Sequence, residues 1–230
     1  MKKLLFVLLL ALPARASAQD VDPTPSDTRV KFWSIDTGAR TTFVKDAGYD
    51  PYSRNDALTQ FSIGMARTTI VRGNFSFAPG FRWDVGSSAS TARGAETNLL
   101  AHRITVPLEA RLHAEPWLYV FGRFAPGAIY QRSRVQDAAL SEAMTDSGWV
   151  PAADVSIGAS IMFASFASSE TSHAPRFWLT PEVGYAWAGR ASAALSPKTE
   201  ADDPRAFGTL SMTGVAVRGV FLRVNVTTTF

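Results

Sequence analysis

Three histidines, His102, His113 and His173, are the residues of this 230-residue chain best suited to acid–base or metal chemistry. None has a second His at ligand spacing, there is no Cys, and His-Glu-x-x-His is absent, so the sequence predicts neither a metal site nor a cofactor. No Gly-x-Ser-x-Gly elbow or phosphate-binding loop occurs. One grouping could support hydrolysis: His102 at the outer end of its strand, with Ser87, Ser88 and Asp84 on the strand beside it. It lacks any local motif, and a rim histidine among polar loop residues explains His102 more simply. No catalytic residue is therefore assigned, and the chain is not expected to be an enzyme.

A second set of residues carries charge at alternate positions inside otherwise apolar segments. Glu109, Arg123, Glu182 and Arg223 fall at similar depth, and Arg82, Asp84, Arg103, Arg40 and Asp154 form a second layer. Such residues either neutralise one another and fill space or line an ion path. The elements that carry them decide between the two.

Eight strand-like segments are predicted at about Val30–Phe43, Gln60–Val71, Phe75–Gly86, Arg103–Ala114, Leu118–Gln131, Asp154–Ala164, Phe177–Ala188 and Thr209–Phe230. Each alternates apolar and polar residues, the period of a strand with one apolar face. The first, seventh and eighth exceed the roughly 9–11 residues that cross a bilayer. Long polar connections at Lys45–Thr59, Ser87–Leu99, Ser133–Gly148 and Ser196–Ala206 alternate with short ones at Arg72-Gly-Asn74 and Glu115-Pro-Trp117 and a medium one at Ser165–Arg176. Val135–Thr145 could hold a helical turn.

The two tight turns fix register. A hairpin centred on Pro116 sets Leu108 against Phe124 and Glu109 against Arg123, and one centred on Gly73 sets Ile63 against Trp83 and Met65 against Phe81. In both, apolar residues meet on one face, as register demands. That face also carries Ile104, Val106, Leu112, Val155, Ile157, Ile161, Leu179, Val183, Tyr185 and Trp187. The opposite face holds the charges and Gly64, Gly80, Gly158 and Gly184, which leave room for arginine side chains. An apolar face turned outward, with Trp and Tyr near strand ends, matches a membrane barrel.

The N-terminus reads as a secretory signal peptide over residues 1–18: Met1-Lys-Lys, an apolar run from Leu4 to Leu12, and an Ala16-Ser17-Ala18 cleavage site. Residues 19–27 are a flexible lead-in, and residues 28–230 form one domain. Cleavage removes Lys2, Lys3 and Arg15, leaving 23 − 3 = 20 basic against 20 acidic residues. A neutral mature chain gives no reason to expect a nucleic-acid partner.

The final segment alternates from Val220 to Phe230 and ends on the aromatic. It resembles the terminal signal of Gram-negative outer-membrane β-barrels, which the barrel assembly machinery recognises. With the topology and face pattern, the chain resembles the small eight-stranded outer-membrane barrels, similar in layout to the outer-membrane protein A transmembrane domain and the outer-membrane protein X type. The resemblance implies an all-β, antiparallel up-and-down transmembrane barrel in the outer membrane, surrounded by lipid and lipopolysaccharide and expected to be a monomer. It also implies a packed lumen and freely varying extracellular loops, hence a structural or surface-interaction role with an unidentified loop ligand. The alternatives are a lipid-modifying barrel enzyme and a narrow channel or transporter.

Overall fold

A computed structural model describes residues 31–92, 94–136, 143–166, 174–191, 193–197 and 210–230. The signal-peptide and lead-in readings and His173 lie outside the described residues, as do 198–209, most of the fourth long connection.

The described residues form twelve strands: β1 (Trp33–Val44), β2 (Ala57–Arg67), β3 (Ile70–Arg72), β4 (Phe75–Ala92), β5 (Ala95–Thr105), β6 (Leu108–Glu115), β7 (Leu118–Gln136), β8 (Met144–Ser165), β9 (Arg176–Ala188), β10 (Ala193–Pro197), β11 (Leu210–Met212) and β12 (Gly219–Thr229). All their pairings are antiparallel. Two staves are broken in the middle. Thr68 and Thr69 separate β2 from β3, and the Val106-Pro107 step separates β5 from β6, where Pro107 has no N–H to give the ladder. Counting each broken pair as one stave, eight staves follow one another, β1, β2/β3, β4, β5/β6, β7, β8, β9 and β12. β12 then pairs with β1, Ser34 opposite Thr229 through Val44 opposite Gly219, and the ring closes. The eight-stranded antiparallel barrel expected from the alternation is the fold observed.

Register follows the hairpin arithmetic. Leu108 pairs with Phe124 and Glu109 with Arg123; Ile63 pairs with Trp83 and Met65 with Phe81. The tight turn between β3 and β4 rests on Gly73, whose φ of +56° a side chain would disfavour.

Four expectations need correction. The first and seventh staves, β1 and β9, do exceed 9–11 residues at 12 and 13, but the eighth, β12, has 11, and the longest are β4, β7 and β8 at 18, 19 and 22. Of the stretches expected as loops, Ser87–Ala92, Ala95–Leu99 and the described ends of Ser133–Gly148 continue as paired strand. Their Ser, Thr and Ala side chains lack apolar alternation because both faces leave the apolar belt. Val135 and Thr145, the ends of the segment expected to hold a helical turn, are in strands, and residues 137–142 between them lie outside the described residues. The last stave is interrupted: residues 213–218 leave the ladder, and Val215, Ala216 and Val217 are buried. Gly214 permits this, since a Cβ there would lie 1.8 Å from the Ala191 carbonyl oxygen. Gly219, at φ +152°, starts β12.

Candidate functional site

Alternation puts two different surfaces on the two sides of this wall. The outside carries Phe61, Phe81, Leu112, Phe124, Val155, Ile157, Leu179, Val183, Leu222 and Val224, all exposed. So large a continuous apolar surface is the mark of a lipid or protein contact. Among the described residues the inside carries six buried arginines, Arg40, Arg82, Arg103, Arg111, Arg123 and Arg223, and five buried carboxylates, Asp36, Asp84, Glu109, Asp154 and Glu182. The polarity of a water-soluble protein is inverted.

The lumenal charges form one connected lattice. Arg111 donates to Glu109 at 2.6 Å, and Arg123 bonds both Glu109 and Glu182. Arg223 then bridges Glu182 at 3.1 Å and Asp84 at 2.8 Å. Arg40 bridges Asp84 at 2.8 Å and Asp154 at 2.7 Å, and Arg103 closes the run on Asp154 at 2.8 Å. Cation and anion alternate strictly along these nine residues. Arg82 branches from it, bonding Asp36 and standing 3.6 Å from Glu182. Ser62 and Ser156 donate to Asp84 and Glu182, both at 2.6 Å. The two layers expected from the sequence are thus a single network, joined where Arg223 reaches both Glu182 and Asp84. Asp36 and Arg111 belong to it but were not expected in either layer.

Desolvated ion pairs are costly to assemble and costlier to break, so such a lattice fixes geometry more than it adds net stability. The guanidinium fork, with its five fixed donors, suits each arginine to bridging two carboxylates. Arg40 and Arg223 also lie over the inward Phe221 ring, at 4.2 and 5.2 Å from its centre.

Aromatic and aliphatic side chains, rather than the charges and small residues that the alternation predicts, pack at both ends of the lumen. At the tight-turn end Tyr119, Phe121 and Trp178 pack together, with Tyr119 edge-on to Trp178 at 5.1 Å. At the long-loop end Tyr49 and Tyr52, from the first long loop, are fully buried with Val44, Leu58, Leu99, Ala101, Ile129, Val215 and Val217. This apolar cork is tied down by Ser88 donating to the Tyr52 carbonyl at 2.6 Å and Tyr49 donating to the Ala57 carbonyl at 3.1 Å. Asp46 bridges its two loop segments, 2.7 Å from Arg190 and 3.5 Å from Arg218. Burial disfavours the phenolate and raises the pKa of both tyrosine hydroxyls above the ordinary value.

The glycines need the same correction. A Cβ on Gly64 would strike Asp36 at 2.6 Å, next to Arg82, as expected of a glycine making room for arginine. Gly158 and Gly184 instead make room for the Phe121 and Phe221 rings, at 2.4 and 2.8 Å, and Gly80 for the neighbouring backbone.

The candidate hydrolytic group does not assemble. His102 faces outward, stacked on Trp83 with ring centres 5.9 Å apart, while Asp84 faces inward and is held by Arg40 and Arg223. His113 lies at the other end, its Nε2 2.8 Å from Ser76 Oγ. Ser76 is fully buried, while His113 is half-buried.

No family profile and no curated protein matches the chain. Among solved structures, the attachment invasion locus protein Ail of Yersinia pestis is 9% identical, with a TM-score of 0.44 over 87% of this chain and 99% of that one. The outer membrane protease OmpT from Escherichia coli is 7% identical, with a TM-score of 0.47 over 90% of this chain and 99% of that one. The transport unit of the autotransporter AIDA-I from Escherichia coli is 12% identical, with a TM-score of 0.38 over 96% and 93%. By its closed ring of pairings and its inverted polarity the structure is an eight-stranded barrel of the outer-membrane type.

Proposed function

We propose that this chain is an outer-membrane β-barrel protein with a packed, charge-paired lumen, acting structurally or as a surface-interaction protein through its extracellular loops. The observation that carries the reading is the inverted polarity, with exposed Phe, Leu, Val and Ile outside and the arginine–carboxylate lattice inside. A bilayer favours that arrangement and water disfavours it. On this reading the leader is cleaved after export, the assembly machinery recognises the segment ending in Phe230, and lipid and lipopolysaccharide surround a monomer. The long-loop end faces outward, so a loop ligand meets the protein there. The outward turn of His102 away from Asp84 supports a role without catalysis. The lattice, corked at one end and floored with aromatics at the other, supports a structural lumen rather than a conducting one.

Fractionation tests this reading. The protein should sediment with outer membranes and migrate faster on gels when unheated than when boiled. Recovery as a soluble periplasmic protein would overturn it.

A further inference from the structure

The outward face of β4, β5, β7 and β8 at the long-loop end is ordered in rows. His102, Tyr130 and Trp149 are directly opposite one another across three strands. With Trp83 they form a ladder of rings, at centre spacings of 5.9, 6.1 and 5.4 Å. The next row outward is Ser87, Leu100, Arg132 and Ser147, and the next is Ala89, Asn98, Arg134 and Thr145. Among the described residues neither Arg132 nor Arg134 forms a salt bridge; Arg134 donates to the Gln136 amide oxygen at 2.7 Å. The acidic group on this face, Glu96, is one row further out, opposite Gln136.

Below the ring ladder the outward side chains are shorter. Ala128 pairs with Pro151 and Pro126 with Ala153, between Ile104 on one side and Trp187 on the other. These short side chains leave a furrow between large ones, running along the strands beneath the rings.

Resting on the outer-membrane reading, we propose that this face holds one acylated glycolipid whose sugar headgroup carries phosphate. Arg132 and Arg134 take the phosphate, for which the guanidinium fork is suited. The ring ladder sits at the membrane boundary, where amphipathic aromatics are favoured, and takes the sugar. Asn98, Ser147 and Thr145 flank the arginines with hydrogen-bonding groups for the sugar hydroxyls. The furrow of Pro126, Ala128, Pro151 and Ala153 takes an acyl chain. A second copy of the protein would explain the rings and furrow but not two arginines in the polar rows above them.

The test uses the full protein folded into phosphatidylcholine vesicles containing either bis-phosphorylated lipid A or its dephosphorylated form. The complexes are then extracted into mild detergent and weighed by native mass spectrometry. Wild type should retain one phosphorylated lipid at least about tenfold better than the dephosphorylated one, the scale of losing charge-assisted hydrogen bonds. Arg132→Ala/Arg134→Ala should lose that preference while keeping heat-modifiable migration, and Trp149→Leu should weaken retention of both lipids. Equal retention of phosphorylated lipid by wild type and the double-arginine variant would overturn the site, as would a dimer lost in Trp149→Leu. Failure of wild type to insert at all would instead overturn the outer-membrane reading beneath it.

Discussion

Arg103 donates from Nη2 to the carbonyl oxygen of Val217 at 3.2 Å, and this contact ties the apolar cork to the ion-pair lattice. The same guanidinium holds Asp154, the last carboxylate of the run. Barrel wall, lattice and re-entrant segment 213–218 therefore share one fully buried side chain.

Removing it should loosen both. Arg103→Leu leaves Asp154 with Arg40 alone and the Val217 carbonyl without its donor. The expected cost is about 3 kcal/mol, the low end for breaking a buried ion pair, because Arg40 still compensates Asp154. Urea unfolding would measure the loss, and limited proteolysis of the inserted protein should find new cleavage near residues 213–218. Unchanged protection there would show that the cork does not depend on Arg103.

Glu109 and Arg123 are paired across the Pro116 hairpin and hydrogen-bonded at 2.8 Å. Glu109→Ala and Arg123→Ala should each destabilise the barrel by about 3–5 kcal/mol, and the double variant should cost less than their sum. Rescue will be incomplete, since Arg111 loses its carboxylate while Glu182 keeps Arg223. Strict additivity in a urea-unfolding cycle would show that the pair is not coupled.

That pair shows what the sequence made legible. A strand's period is two, so a turn centre fixes every opposite pair, and apolar agreement across Pro116 and Gly73 identified the register and the facing direction together. Asp36 and Arg111 escaped the lattice because a strand pattern gives facing but not the reach of a side chain across a lumen. Tyr49, Tyr52 and Val215–Val217 escaped because they come from outside the ladder, where periodicity is silent. The signal available was local: Gly214 and Gly219 bracket an apolar Val-Ala-Val run that strand alternation does not explain. The long hairpin arms of β4/β5 were missed for a different reason, since Ser, Thr and Ala on both faces look like loop.

The cork should respond to alkali. Folding raises the pKa of Tyr49 and Tyr52 above their unfolded value of about 10. A raised pKa in the folded state means the buried, neutral hydroxyls contribute stability below pH about 10. That contribution is lost as pH climbs through the raised values. Protease access to residues 45–56 in the inserted protein should therefore increase above pH about 10, and Tyr49→Phe/Tyr52→Phe should blunt the increase. An identical pH profile in the double variant would detach the cork from these tyrosines.

In planar bilayers the purified protein should show no sustained porin-like conductance, because an eight-stranded lumen is narrow enough for side chains to fill and here they do. A stable open state of one size, enlarged by Arg123→Ala or Arg223→Ala, would favour a channel.

The central claim is that the apolar face meets lipid, and two tryptophans of β9 test it. Trp187 faces outward and is 47% exposed, whereas Trp178 faces the lumen and is 3% exposed. Variants retaining only one of these tryptophans can be folded into vesicles of lipids brominated along the acyl chain, a contact quencher of indole fluorescence. Strong quenching of Trp187 with little quenching of Trp178 is the predicted result; quenching of Trp178 with Trp187 unaffected would contradict the account.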